Sequence, residues 1–320
     1  MLFHPTKQPS ELRIRHLNAR LDAQQQAMSA AIYDRFELLQ SLNRLRKATK
    51  LRKKSGERVF LLDFKGDVQA SAVDTLREEI TLILSLARAG KDQVVVRLES
   101  PGGLVHGYGL AAAQLARLRE AGFKLTICVD KVAASGGYMM ACLADKIVAA
   151  PFAVVGSIGV VAQLPNFNKL LKQHNIDFDV YTAGEYKRTV TVFGENSAEG
   201  KEKFESELQQ THALFKHFVE KYRPQLDVSK VATGEHWYGE DAINLKLVDQ
   251  LQTSDGYIMS LLPTHDVYLI ESRHKPTLAE KLGLAAAQMS ASVVPALFQA
   301  AQQSVMKFKH EQVQLRDPNY

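Results

Sequence analysis

Ser135 has the sequence context of a nucleophile for acyl transfer. It occurs in V-A-A-S-G-G-Y (132–138), shortly after an apolar run at 125–129 that is typical of a buried strand. The backbone N–H groups at the start of a helix carry partial positive charge and can bind the oxyanion formed during acyl transfer. Ser135 and the N–H of Gly136 therefore form a candidate site. The alternative is an ordinary helix N-cap in a turn of small residues.

Two further glycine turns are expected near Ser135. The first, E-S-P-G-G (99–103), follows an apolar run at 93–98, and the second, G-S-I-G (156–159), follows Pro151. The bare backbone of Gly102 and Gly103 allows close approach to a substrate carbonyl. Ligands of open α/β sheets bind beyond the carboxyl ends of the strands, so these turns are expected on one rim.

A serine nucleophile requires a base, and the residues alone leave two candidates. His106 lies three residues past the P-G-G turn, where it is either a base or a surface residue that opens a helix. Lys187 follows a strand-like run at 178–181 in A-G-E-Y-K-R-T (183–189). A lysine amine in water has a pKa of about 10.4, so a lysine base must be buried for that pKa to fall. The alternative for Lys187 is a solvated loop residue.

The elements that would position these residues alternate between strands and helices. Apolar runs predict the strands, and helical periodicity separates the first three of them. This alternation indicates βαβ units, an α/β fold and a mostly parallel sheet. Helical periodicity also predicts helical N- and C-terminal extensions. The predicted strands are 59–64, 93–98, 125–129 and 146–149, and the predicted helical regions are 1–54, 71–88, 107–121, 197–223, part of 228–250, and 277–310.

The positive charge of the chain is concentrated near its beginning. The 320 residues carry a net charge of +5, and residues 1–57 contain 12 Lys/Arg against 5 Asp/Glu. A basic helix at 35–54 either contacts anionic lipid or nucleic acid, or is simply a solvated surface. Aromatic residues do not interleave with the basic ones, which argues against a nucleic-acid platform, and we expect no nucleic-acid partner.

Composition excludes several other classes of protein. Cys128 and Cys142 both lie in apolar runs, which favours buried free thiols over a disulfide. No Cys/His spacing typical of a metal site occurs. No apolar stretch reaches the length of about 20 residues that a membrane span requires, and the N-terminus lacks the apolar core of a signal peptide.

Four motifs in this order resemble the signal peptide peptidase A family. They are E-S-P-G-G at 99–103, V-A-A-S-G-G-Y at 132–138, G-S-I-G-V at 156–160 and A-G-E-Y-K at 183–187. The Y-K-R-T variant and the stretches V-H-G-Y-G-L and A-T-G-E-H-W-Y-G resemble its SohB branch. The resemblance covers about residues 57–262 and implies a Clp-protease/crotonase-like fold. It divides the chain into a basic helical segment at 1–56, a catalytic domain at 57–262 and a helical extension at 263–320.

The resemblance implies a serine endopeptidase with a Ser-Lys dyad. Ser135 would be the nucleophile that forms an acyl-enzyme, Lys187 the general base, and Ser157 the residue that orients the lysine amine. The N–H groups of Gly103 and Gly136 would form the oxyanion hole, and neither a metal nor an organic cofactor would be needed. Candidates for the substrate groove are Gly102, Tyr138 and Gly156.

Further implications concern substrates, assembly and location. Extended peptides, such as remnant signal peptides or misfolded proteins, would be the substrates. A homo-oligomeric ring or dome is expected, in which neighbouring subunits can share the Ser and Lys of one site. The resemblance also implies association with the inner membrane, with the catalytic domain on the periplasmic side. Competing hypotheses are a crotonase-type acyl-CoA enzyme, a non-catalytic scaffold on the same fold, and a Ser-His-Asp protease that uses His106.

Overall fold

Two β-sheets organise the protein in the computed structural model, which describes residues 11–273. A seven-stranded sheet forms the centre, and three further strands form a second, smaller sheet. The strands within the described part of the chain are β1 (Glu11–His16), β2 (Arg58–Lys65), β3 (Gln93–Glu99), β4 (Lys124–Val129), β5 (Val132–Ala134), β6 (Lys146–Ala149), β7 (Val154–Gly156), β8 (His236–Tyr238), β9 (Gln250–Leu251) and β10 (Asp266–Arg273).

Helices connect most of these strands. Those of the described residues are α1 (Leu17–Ile32), α2 (Arg35–Ser55), α3 (Val73–Leu86), α4 (Val105–Glu120), α5 (Gly136–Ala141), α6 (Asn168–Gln173), α7 (Ala198–Tyr222), α8 (Val228–Val231), α9 (Gly239–Asn244) and α10 (Ser254–Leu261). The central sheet has the order β1-β10-β2-β3-β4-β6-β9, and all neighbouring strands from β10 to β9 are parallel. The βαβ arrangement predicted from the sequence is confirmed.

The central strands are apolar on both faces because both faces are covered. Phe60, Leu62 and Phe64 of β2 join the larger core, while Val59 and Leu61 point to the opposite face and join a second core. Side chains alternate across a strand, so a parallel strand covered on both sides is a nearly continuous apolar run. Helices α3, α4, α5 and α7 supply the larger core, and α10 supplies the second.

Three of the predictions about elements are wrong. The extension expected to be helical from residue 263 begins with strand β10, which pairs with β2 in the central sheet. The helix expected to include residues 11–16 is the strand β1, whose alternating sequence E-L-R-I-R-H fits the edge of the central sheet. The strand-like run at 178–181 contains no strand and belongs to an exposed segment with no neighbouring strand to pair with. Short apolar runs form strands only where a partner strand is within reach.

Leu12–Ser272 form one compact unit, which contains both sheets. A second unit comprises Met1–Glu11 and Arg273–Tyr320, of which the structure describes only Glu11 and Arg273. The helix predicted at 277–310 therefore falls outside the described residues. No helix between residues 11 and 273 is long and apolar enough to cross a bilayer.

Candidate active site

The small sheet places Ser135 next to Ser157. Strand β5 is parallel to β7 in a register that opposes Ala134 to Gly156, and each strand ends in the residue just before a serine. The N–H of Ser135 donates to the carbonyl of Gly156 over 2.8 Å, which joins the two strand ends. Parallel strands end at the same edge of a sheet, so the two serines emerge side by side.

Both serines have a backbone conformation that is uncommon for residues with a side chain. Ser135 and Ser157 each have φ of 52°, which costs about 1–3 kcal/mol and is typical of functional turns. Ser135 precedes α5, yet its hydroxyl caps no N–H of that helix and has no hydrogen-bond partner among the described residues. The ordinary N-cap role considered from the sequence is therefore absent, and the hydroxyl is available for chemistry.

A glycine turn closes tightly over the backbone of Ser135. Gly102 has φ of +91°, and a Cβ there would lie 2.8 Å from the carbonyl oxygen of Ala134, the nitrogen of Gly136 and the Cβ of Ser135. Only glycine fits at so close an approach. The N–H of Gly102 donates to Ser100 Oγ, whereas the N–H groups of Gly103 and Gly136 have no acceptor within residues 11–273. Those two groups remain free to bind a developing oxyanion.

A cavity of about 790 Å³ opens over these groups. Ser135, Ser157, Gly102, Gly103 and Gly136 all line it, so the structure brings together five of the residues predicted from the sequence. Helix α7 supplies one wall through Leu214, Phe215 and Phe218, opposite Val105 and Met139. None of the described residues around the cavity is Asp, Glu, Lys or Arg, which suits a substrate segment without charge.

Lys187 is placed outside this cavity. It lies in the exposed turn that follows Gly184, within a segment at 160–197 that we call the arm. The cation of Lys203 on α7 stacks over the ring of Tyr186 at 4.9 Å, which ties the turn of Lys187 to the body of the protein. The side chain of Lys187 is exposed to solvent in the single chain.

The arm has its own small apolar centre but exposes many apolar side chains. Phe193 packs against Phe167 and Phe178 with ring centroids 6.1 and 5.5 Å apart. Val161 is 81% exposed and Tyr181 is 91% exposed. An ordered segment that leaves such residues in water is typical of a surface that another protein covers.

Two groove candidates from the sequence do not line the cavity, which corrects that expectation. Tyr138 is fully buried, and its hydroxyl donates to the carbonyl of Leu247 over 2.9 Å, so it packs in the core. Gly156 is covered by the ring of Trp237, which leaves no room for a Cβ. Its carbonyl instead holds the N–H of Ser135. His106 is exposed on the first turn of α4 and is not among the cavity residues.

Sequence reasoning missed several residues of the site. Thr211, His212 and Phe215 belong to the cavity wall on α7, and Tyr108 lies beneath the glycine turns. Within a helix, such residues have the same spacing as ordinary core residues, so periodicity alone does not distinguish them. The glycines that surround Tyr108 in G-Y-G are the one local signal, since they indicate close backbone approach.

The two cysteines are unsuited to nucleophilic chemistry. Both are buried free thiols, as the sequence predicted. Burial raises the pKa of Cys128 and of Cys142 to about 12, so neither forms a thiolate at neutral pH. Among residues 11–273, no group of three or more His, Cys, Asp or Glu side chains is arranged to hold a metal ion.

Comparison with known proteins supports a peptidase. Residues 117–267 match the family model described as peptidase family S49, and residues 3–115 match the model of the S49 N-terminal region. A probable protease SohB of Haemophilus influenzae is 55% identical over 251 residues, which cover 78% of this chain and 71% of the relative. The chain belongs to peptidase family S49. Its similarity to SohB-type proteases confirms the resemblance drawn from the four motifs.

Another SohB-type protease and one solved structure are also similar to this chain. A probable protease SohB of Buchnera aphidicola subsp. Schlechtendalia chinensis is 59% identical over 202 residues, 63% of this chain and 66% of the relative. The chain thus spans about two thirds of the length of such relatives. A solved mutant of a membrane-bound stomatin-specific protease aligns with 64% of this chain and 84% of its own, at 11% identity and a TM-score of 0.41. That similarity is too low to support an inference about function.

Proposed function

We propose that this S49 protein is a serine endopeptidase in which Ser135 is the nucleophile and Lys187 is the general base. The observation that carries the proposal is the hydroxyl of Ser135 beside the N–H groups of Gly103 and Gly136, all three without a hydrogen-bond partner in the part of the chain that the structure describes. Those groups open into a cavity large enough for a peptide segment. Acyl transfer needs a nucleophile and an oxyanion site within about 3 Å of one carbonyl group.

The chemistry proceeds through an acyl-enzyme. Ser135 Oγ attacks the scissile carbonyl while the neutral amine of Lys187 accepts the hydroxyl proton. The N–H groups of Gly103 and Gly136 bind the oxyanion of the tetrahedral intermediate, and the protonated amine then gives its proton to the leaving nitrogen. A water molecule, activated by the same amine, hydrolyses the ester and restores the hydroxyl of Ser135.

A second copy of the chain supplies Lys187 in this proposal. In the single chain the lysine is exposed and absent from the cavity that Ser135 lines. The apolar surface of the arm, including Val161 and Tyr181, gives the neighbour a surface to bury. Docking the arm there would withdraw the lysine from water, which is what a lysine base requires. Ser157 beside Ser135 would accept or donate a hydrogen bond that orients the amine.

The substrates proposed are extended, uncharged segments of peptides, such as remnant signal peptides or misfolded proteins. The cavity walls formed by Phe215, Phe218 and Met139 favour apolar side chains. An extended chain also presents its carbonyl groups to the narrow space between the turn at 101–103 and the segment at 157–161.

The helical hairpin of α1 and α2 is proposed to contact an anionic membrane surface. Residues 17–55 contain 9 Lys/Arg against 3 Asp/Glu. The tip of the hairpin exposes 66% of Met28, 63% of Ile32 and 69% of Phe36. Seven of the nine basic residues lie at 44–54, so the hairpin has a basic end and an apolar tip. Helices that combine basic and exposed apolar residues are typical of binding at a lipid interface. Sedimentation with phosphatidylglycerol vesicles, but not with neutral vesicles, is the expected result.

Peptidase turnover on casein tests the proposed reaction. We expect Ser135→Ala and Lys187→Ala each to lose roughly a thousandfold or more in kcat, as removal of part of a catalytic unit does. Lys169→Ala is the matched control, because Lys169 is another exposed lysine of the arm. Full activity of Lys187→Ala would remove the lysine from the mechanism. Hydrolysis of acyl-CoA that survives in Ser135→Ala would favour a crotonase-type enzyme instead.

A further inference from the structure

A buried chain of hydrogen bonds begins at the turn that carries the proposed oxyanion hole. The N–H of Gly102 donates to Ser100 Oγ over 3.1 Å, and Ser100 Oγ lies 2.5 Å from the hydroxyl of Tyr108. Tyr108 in turn donates to the carbonyl of Asp67 over 2.8 Å. Ser100 and Tyr108 are both fully buried.

The direction of this chain follows from proton counting. The carbonyl of Asp67 can only accept, so the single hydroxyl proton of Tyr108 is committed to it. Ser100 must then donate its own proton to Tyr108 while it accepts from Gly102. Burial raises the pKa of Tyr108 above its ordinary value, so the hydroxyl keeps the proton on which the chain depends. Hydrogen bonds that run in one direction strengthen each other in a medium of low dielectric constant.

The ring of Tyr108 contacts the other half of the oxyanion hole. A Cβ at Gly136 would collide with Cβ, Cγ and Cδ2 of Tyr108, so the backbone of Gly136 rests directly on the ring. At the opposite end, a Cβ at Gly66 would collide with the hydroxyl of Tyr108 and with Ser100. The tyrosine is therefore enclosed on both sides and has little freedom to move.

We propose that Tyr108, acting with Ser100, is a positioning residue that sets the distance between the two oxyanion donors, Gly103 and Gly136. Through Ser100, the hydroxyl of Tyr108 holds the N–H of Gly102 towards the interior of the protein. The next N–H, that of Gly103, is then left facing the cavity. The ring of Tyr108 fixes the position of the Gly136 backbone. This inference rests on the proposed serine peptidase function and assigns to that site a support that touches no substrate.

The proposal predicts that transition-state stabilisation is lost while substrate binding is kept. Oxyanion donors act when they lie 2.7–3.1 Å from the developing charge, and removal of one costs about 10²–10³ in kcat. Displacing a donor costs less than removing it. We therefore expect Tyr108→Phe, which keeps the ring and removes the hydroxyl, to lower kcat by roughly ten- to a hundredfold. KM should change by less than about threefold, because Phe keeps the ring that Tyr108 contributes to the cavity.

The experiment measures kcat, KM and the affinity for a peptide aldehyde in the full-length oligomer. An aldehyde forms a tetrahedral adduct with Ser135 and so reports on the oxyanion hole directly. Tyr108→Phe and Ser100→Ala should each weaken aldehyde affinity as much as they lower kcat. The double variant should be no worse than the more affected single one, because both changes cut one relay. Ser100→Ala carries the test alone if Tyr108→Phe does not fold.

Tyr257→Phe is the control for simple loss of a buried hydroxyl. Tyr257 is 7% exposed on α10, and its hydroxyl pairs with Thr126 in the second core. This variant should keep kcat and aldehyde affinity. Unchanged kcat in Tyr108→Phe, or a change in KM alone, would overturn the positioning role. Ser135→Ala in the same series separates the two proposals, since its full activity would refute the nucleophile whatever Tyr108 does.

Discussion

Mixing two inactive variants distinguishes a shared site from one contained in a single chain. Ser135→Ala keeps the lysine, and Lys187→Ala keeps the serine. Lys187 lies on the exposed arm and is absent from the cavity of its own chain, so the proposed mechanism takes one residue of each site from each of two copies. A mixed oligomer of the two variants is therefore expected to regain activity, although each variant alone is inactive.

The size of the recovery follows from counting. In an equal, random mixture, half of the subunits provide an intact Ser135 and half provide an intact Lys187, so about one quarter of the sites are complete. The fraction is the same for a two-fold dimer and for a ring. We expect about a quarter of wild-type turnover on casein from the unselected mixture. When the two variants are co-expressed with different affinity tags and purified through both, the expected value rises to about one half for a dimer and stays near one quarter for a large ring.

Purification through both tags enriches mixed oligomers, so recovery above one quarter also agrees with a shared site. The control pairs Ser135→Ala with a double variant that lacks both residues, which should stay inactive. Activity absent from verified mixed oligomers would refute the proposal that Lys187 acts on a neighbour.

Three other perturbations probe the scaffold. Gly102→Ala forces a side chain into a φ of +91° and into contact with Ser135, so casein turnover should fall at least about a hundredfold. Burial raises the pKa of Glu79 to about 7, so the native state favours the protonated carboxyl, and the full stability is present below about pH 4.5, where the carboxyl is protonated in both states. That stability should be lost as pH rises to about 7, by about 3 kcal/mol in urea unfolding, whereas Glu79→Gln should show a flatter profile. Arg223 is buried and donates twice to Asp249, so Arg223→Met should cost about 3–5 kcal/mol of stability. An Arg223→Met midpoint equal to wild type would show that the pair contributes nothing.

The sequence predicts the central strands well, because a strand that is buried on both faces is a nearly continuous run of apolar residues. Strands β2, β3, β4 and β6 were expected within one or two residues of their observed ends. Strands β5 and β7 were missed, since each has three residues and depends on its neighbour rather than on its own pattern. The register between these two short strands is what sets Ser135 beside Ser157.

The residues of the candidate site can be predicted from the sequence, whereas the residues that hold them in place cannot. Glycines beside a serine indicate close backbone approach, and this signal located Gly102, Gly103 and Gly136. Tyr108 has only the flanking glycines of G-Y-G as a signal, because a buried tyrosine in a helix otherwise has the spacing of any core residue. The exposure of Lys187 agrees with the solvated loop residue that the sequence offers as the alternative to a base.

Under the proposed mechanism, the exposed position of the arm would delay activity until two copies assemble. A newly synthesised chain would hold a nucleophile and an oxyanion hole but no base within reach, and so would behave as a zymogen. Activity per chain would then rise with concentration and disappear on dilution below the dissociation constant of the oligomer. Encounter between copies would take the place that removal of a propeptide has in many secreted proteases, and it would be reversible.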